Sequence, residues 1–149
     1  MEVKIETATI TLLDKLFEIE EQCFDQEAFS KRQISYLLTD YNTIALMAKK
    51  GNDIVGFIIA QVEVEENTEF GHIITINVET KHRRQGTATK LLNEIENLLK
   101  QKGITQCRLE VREDNKPGIK LYQKLGYQIV GILENYYGKR NGLYLRKML

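Results

Sequence analysis

The stretch from His72 to Gly103 constrains this chain more than any other. A run rich in Ile and Val, His72–Val78, reads as a strand and passes through Glu79-Thr80-Lys81-His82 into the loop Arg83-Arg84-Gln85-Gly86. That loop opens directly onto the strongest helical pattern in the sequence. Ala88, Leu91, Leu92, Ile95, Leu98 and Leu99 recur on one face, and Lys90, Asn93, Glu94, Asn97 and Lys100 take the other. Gly103 stands where helices commonly end on a left-handed residue.

The flanking segments supply further strands and helices. Val3, Ile5, Ala8 and Ile10 suggest an opening strand, and Thr11 sits at the N-cap position of a first helix in which Leu12, Leu13, Leu16, Ile19 and Cys23 repeat. Phe24 to Phe29 reads as a loop, after which Ser30 caps a short helix that turns Ile34, Leu37 and Leu38 inward. Strands Thr43–Lys49 and Asp53–Glu65 flank Lys50-Gly51-Asn52, which is hairpin chemistry. Glu63, Glu65, Glu66 and Glu69 form an acidic run, read as a solvated strand end and loop. Gln106–Glu113 alternates, with Cys107, Leu109 and Val111 to one side and Arg108, Glu110 and Arg112 to the other. Ile119, Leu121, Tyr122 and Leu125 fit a short helix stopped at Gly126. Closing strands near Tyr127–Glu134 and Leu143–Met148 are joined by Gly138-Lys139-Arg140-Asn141-Gly142. The predicted order is β-α-α-β-β-β-α-β-α-β-β, a single α/β domain over residues 1–149 with a mixed sheet.

Composition removes several alternatives. A chain of 149 residues is one ordinary domain, able to bury roughly two-thirds of its unfolded surface. The 21 Lys and Arg are balanced by 21 Asp and Glu, so no overall basic field points to nucleic acid. The apolar run Phe57–Ala60 is far too short to span a bilayer, and MEVKIETATI lacks the plan of a signal peptide. A cytoplasmic location is therefore expected. Cys23 and Cys107 form no metal-type pair; a single disulfide is open to them, but free, partly buried thiols are expected. His72 and His82 have no ligand spacing, so no metal site is expected.

The loop at residues 83–89 carries the first chemical signal. It presents the unpartnered N–H groups of a helix start around Gly86 to Thr89, together with the positive end of the helix dipole. Gly86 admits close approach of the main chain, Arg83 and Arg84 add charge, and Thr87 and Thr89 add hydroxyls. A diphosphate suits this arrangement better than one carboxylate, although a basic loop closing a strand–helix turn is an alternative from the loop alone. Neither GxxxxGK[ST] nor GxGxxG occurs. The pattern present is Arg83-x-x-Gly86-x-Ala88, which resembles the acetyl-CoA pyrophosphate loop of the GNAT superfamily of N-acetyltransferases.

Downstream residues extend the resemblance along nearly the whole chain. Leu109-Glu110-Val111, Asn115 and Ile119-x-Leu121-Tyr122-x-x-Leu125-Gly126-Tyr127 are similar to the second half of that family's CoA-binding region. Leu109 to Arg112, Asn135-Tyr136-Tyr137, Cys23-Phe24 and Phe29-Ser30 resemble the RimI and Ard1 protein N-terminal acetyltransferases. The chain departs from the family in three places. Ala88 replaces a second glycine, Pro117-Gly118 replaces small helix formers, and Pro-Trp character is missing between Phe24 and Phe29. Pro is tolerated in a first helical turn, so a shifted or loosened helix start is expected.

The resemblance implies a mostly antiparallel sheet of about seven strands with about four helices, and acetyl-CoA as cosubstrate. It also implies site residues. Glu110 would be the general base and Tyr122 the general acid toward the CoA sulfur. Ile76, Asn77 and Val78 would offer a free strand edge to the pantetheine arm, with the Val78 N–H at the oxyanion. Arg83, Arg84, Gln85, Gly86, Thr87, Ala88, Thr89, Asn115 and Tyr122 would complete cofactor binding, and Phe24, Glu27, Phe29, Tyr136 and Tyr137 would meet the acceptor. Without the family, Glu110 is a candidate ion-pair partner of Arg108 or Arg112, Tyr122 a core aromatic, Tyr136 and Tyr137 ordinary strand residues, and Asn115 a helix cap. The implied acceptor is the α-amine of a protein or peptide N-terminus, ribosomal proteins among the candidates. A small amine (polyamine, amino acid or aminoglycoside) is the alternative, with a non-catalytic acetyl-CoA sensor behind it. A monomer or weak homodimer is expected.

Overall fold

The computed structural model describes residues 2–24 and 27–149. Its elements are β1 (Val3–Thr7), α1 (Leu13–Cys23), α2 (Lys31–Thr39), β2 (Thr43–Lys50), β3 (Asp53–Glu65), β4 (Thr68–Val78), α3 (Thr87–Gln101), β5 (Gln106–Arg112), α4 (Lys116–Lys124), β6 (Gln128–Tyr137) and β7 (Arg140–Met148). Among the described residues seven strands form one sheet in the order β1-β2-β3-β4-β5-β7-β6. Every neighbouring pair is antiparallel except β4 with β5.

The central strands of the sheet are buried on both faces, and their alternation divides their side chains between two cores. Leu46, Val55, Ile58, Ile73, Leu109 and Leu145 meet Leu91, Leu92, Ile95 and Leu99 of α3, with Tyr122 of α4 beside them. On the other face Met47, Ile54, Phe57 and Ile59 meet Leu16 and Ile19 of α1 and Ile34 and Leu37 of α2. The two apolar stripes predicted on the first and third helices are these contacts. Ser30 caps α2 in a full capping box: its hydroxyl accepts from Gln33 N at 3.1 Å while its own N–H donates to Gln33 Oε1 at 2.8 Å.

Four local expectations are corrected. Thr11 does not cap the first helix. It lies in a 3₁₀ turn, Ile10–Leu12, its hydroxyl paired with that of Thr9 at 2.7 Å, and α1 starts at Leu13 with no side-chain cap. The strand placed at His72–Val78 begins at Thr68, because Glu66 and Asn67 adopt φ of +50° and +66° and close a two-residue hairpin turn. The acidic run is thus only partly solvated, with Glu63 against His72 and Glu65 against Arg108 at 3.3 Å. The last turn shrinks to Gly138-Lys139, since Tyr137 already pairs with Arg140. Pro117 occupies the first turn of α4, which starts at Lys116 under a cap from Asn115.

Candidate active site

A break in the sheet creates the site. β4 and β5 pair only from Gly71–Ile73 to Cys107–Leu109. On the β3 side the register jumps from Ala60 opposite Ile73 to Ile59 opposite Thr75, leaving Ile74 as an extra residue. Such a bulge bends its strand, and beyond it β4 and β5 part. A cleft of about 870 Å³ opens there, lined by Ile74–Val78, Leu109–Arg112, Arg83, Arg84, Gly86–Thr89, Asn115 and Tyr122. The Glu79 N–H donates to Val55 O at 2.8 Å on the β3 side. Strand alternation therefore turns the N–H groups of Val78 and Ile76 away from β3, toward the cleft.

The loop between β4 and α3 is shaped by two left-handed residues, Arg84 at φ +63° and Gly86 at φ +82°. Alternation of this kind turns successive N–H groups into one concavity. Lys90 N–H bonds back to Gly86 O at 3.1 Å, leaving the preceding N–H groups of the helix start without intrahelical partners. The Thr87 hydroxyl is buried without a partner among the described residues. Arg83 does not stand free beside the loop as expected: Nε donates to Val78 O at 3.1 Å and Nη2 to Cys23 Sγ at 3.3 Å. Gln85 Oε1 accepts from Lys50 Nζ at 3.2 Å. This donor set fits a diphosphate.

Glu110 faces the cleft from β5, and its partner is neither Arg108 nor Arg112. Its Oε1 lies 2.7 Å from His72 Nε2, while His72 Nδ1 lies 2.7 Å from Glu63 Oε2. Burial by itself pulls the imidazole toward its neutral form, but Glu110 and then Glu63 outweigh it, and the net shift is upward. Tyr122 projects from α4 into the same cleft. Burial pushes its phenol up to about 12, and its hydroxyl has no hydrogen bond to the described residues. Asn115 both lines the cleft and caps α4, accepting from Gly118 N at 3.1 Å.

A second cleft of about 560 Å³ adjoins the first, walled by Arg32, Gln33, Tyr36 and Leu37 of α2, with His72 in its lining. Phe29, Ile74, Glu110 and Tyr136 line both. Tyr136 and Tyr137 stack edge to face, their centroids 4.9 Å apart. Phe24 closes α1 beside the larger cleft, and Glu27 Oε1 accepts from Arg112 Nη1 at 2.9 Å. Asp25 and Gln26 of this loop lie outside the described residues.

Comparison with known proteins decides the family. The profile of the acetyltransferase (GNAT) family matches residues 11–127. The chain belongs to the GNAT acetyltransferase family. It is an acyltransferase, with acetyl-CoA as cosubstrate. The chain is 34% identical to a [ribosomal protein bS18]-alanine N-acetyltransferase of Haemophilus ducreyi, over 93% of its own length and 91% of that protein. It is 39% identical over 101 residues to the catalytic subunit of an N-terminal acetyltransferase B complex from Arabidopsis thaliana. That match takes in 66% of this chain and only 58% of the relative's length. Among solved structures, Ard1 from Thermoplasma volcanium superposes with a TM-score of 0.90 at 22% identity, covering 100% of this chain and 99% of that one, which shows the shared fold.

In this acetyltransferase the residues expected from sequence line the two clefts or flank them, and three more belong with them. His72, read as a lone histidine, bridges two carboxylates. Glu63, read as solvated, is one of them. Glu20, fully buried on α1, accepts from Thr75 Oγ1 at 2.8 Å, Asn77 Nδ2 at 2.8 Å and Phe29 N at 3.1 Å. It ties the free part of β4 to the loop between α1 and α2. The alternation of β4 and β5 marks His72 and Glu110 as polar positions, but only their pairing across neighbouring strands reveals the contact. Both cysteines are free thiols. No helix among the described residues is long and apolar enough to cross a membrane.

Proposed function

We propose that this acetyltransferase moves the acetyl group of acetyl-CoA to the α-amine of a protein or peptide N-terminus, in the cytoplasm, with ribosomal proteins among its acceptors. The observation that carries this reading is the meeting of two clefts at Glu110. One carries the phosphate-type loop and Tyr122; the other opens past Tyr36 and Tyr136 to the surface, leaving room for a chain that enters by its end. The names of the relatives, an alanine N-acetyltransferase of a ribosomal protein and a subunit of an N-terminal acetyltransferase complex, support it.

The residues divide the work as follows. The N–H groups at Gly86 to Thr89 hold the diphosphate of acetyl-CoA, and the free edge at Ile76 to Val78 bonds to its pantetheine arm. The Val78 N–H donates to the thioester oxygen as negative charge develops there. An α-amine has a pKa of about 8 and is largely protonated at neutral pH. Glu110, with Oε1 engaged by His72, takes a proton from the amine through Oε2, directly or by way of a water. The amine nitrogen then bonds to the acetyl carbon, the C–S bond breaks and Tyr122 delivers a proton to the departing sulfur, while the second amine proton leaves the new amide nitrogen for solvent, from which Tyr122 recovers its own. Phe24, Glu27, Phe29, Tyr136 and Tyr137 meet the acceptor backbone.

Purified protein, acetyl-CoA and a panel of peptides varied at their first two residues test this by mass spectrometry. Acetylation at the α-amine and not at lysine side chains is expected, with kcat/KM lowered about 10²- to 10⁴-fold in Glu110→Gln. A panel left unmodified while a polyamine or aminoglycoside turns over would overturn the peptide reading.

A further inference from the structure

The Glu63–His72–Glu110 chain holds more than the general base requires. Both imidazole nitrogens lie 2.7 Å from carboxylate oxygens, Nδ1 from Glu63 and Nε2 from Glu110. A neutral imidazole has one N–H, and its other nitrogen would press a lone pair against a carboxylate at that distance. Protonation of the ring satisfies both contacts. Side-chain exposure rises outward along the chain, from 15% at Glu110 through 20% at His72 to 38% at Glu63, so the acceptor-side end is the enclosed one. Glu63 reaches the ring from β3 and Glu110 from β5. Tyr136 of β6 and Arg32 of α2 face the same cleft. No cation among the described residues pairs with Glu63 other than His72.

We propose that Glu63 is a positioning residue for acetyl transfer: it holds His72 protonated with Nε2–H aimed at Glu110, fixing Glu110 with its second oxygen toward the amine. The inference rests on the reading of Glu110 as general base. A partly solvated carboxylate–imidazole pair contributes modestly to stability, whereas an opposite charge beside a titrating ring moves its proton affinity by about one pH unit or more. Without that charge His72 loses a proton at lower pH. The proton that remains then serves either nitrogen, and Glu110 no longer has a guaranteed donor.

Glu63→Gln and Glu63→Leu separate charge from shape. The chain has two histidines, so the His72 titration is followed by NMR with few overlapping signals, assigned from the spectrum of a His82→Gln variant. In Glu63→Gln the amide oxygen still accepts from Nδ1–H, so the His72 midpoint is expected to fall by about one unit while kcat at low pH stays near wild type. The alkaline decline of kcat should move down with it. In Glu63→Leu both charge and acceptor are gone, and kcat is expected to fall about tenfold at every pH with the KM for acetyl-CoA unchanged. An unmoved His72 midpoint in Glu63→Gln overturns the proposal, as do wild-type pH profiles in both variants. If Glu63→Leu does not fold, the isosteric Gln variant decides alone. Full turnover in Glu110→Gln would instead remove the base reading, and the NMR shift would still report whether Glu63 governs His72.

Discussion

Tyr122 and His72 show how burial sets chemistry at single residues. Desolvation lifts the Tyr122 phenol to about 12, so it keeps its proton throughout the neutral range, as the proposed general acid must. Tyr122→Phe removes that donor and leaves the ring; kcat is expected to drop about 10²-fold in steady-state assays, with the KM for acetyl-CoA little changed. His72 lends itself to a stability measurement. Its ring pKa is raised in the folded protein, so its charged form contributes stability that is complete below the unfolded value of about 6.5. That contribution is lost as the pH rises through the folded value. The stability difference between wild type and His72→Gln in urea unfolding should therefore be full below the unfolded value and narrow as the pH is raised above it.

At the scale of elements, the site depends on how firmly β3 holds β4 and how α2 is started. A Cβ on Gly56 would lie 2.6 Å from the Asn77 carbonyl oxygen, a main-chain atom that cannot swing aside. Gly56→Ala is expected to destabilise by about 1–3 kcal/mol in urea titration and to weaken acetyl-CoA binding, because Asn77 lies on the free stretch of β4. Gly71 is also tight, with Leu99 Cδ1 at 2.5 Å, but a leucine side chain can move and its replacement should cost less. Ser30→Ala removes the capping-box acceptor at the entry to α2, the wall of the smaller cleft. About 1 kcal/mol of lost stability is expected, read from the urea midpoint at constant m-value.

For the whole molecule, the cleft proposed to take the cosubstrate is made by strands, a loop and a helix that come together only in the folded state. Acetyl-CoA at a hundredfold excess over its Kd should stabilise the fold by about 2.7 kcal/mol. For a chain of this length that corresponds to a Tm rise of roughly 5–10 °C in a thermal-shift titration; no shift at saturating acetyl-CoA would contradict the assigned cosubstrate. Much of this organisation is legible locally. The stripe from Ala88 to Leu99, the glycine at 86 and the alternation at residues 106–112 are periodicities and backbone preferences, and each is set by residues a few positions apart. They determine the α/β class, the helix-start anion loop and the polar side of β5, and the family resemblance adds roles to Glu110 and Tyr122. Tertiary structure alone decides the rest. The Ile74 bulge depends on the register between β3 and β4, and the splay of β4 from β5 opens the cleft beyond it. The contact of His72 with Glu63 and Glu110 joins residues 9 and 38 positions apart. A buried carboxyl group such as that of Glu20 is likewise invisible in a sequence, where a glutamate on an amphipathic helix reads as solvated. Its donors come from β4 and the loop before α2, and only packing supplies them.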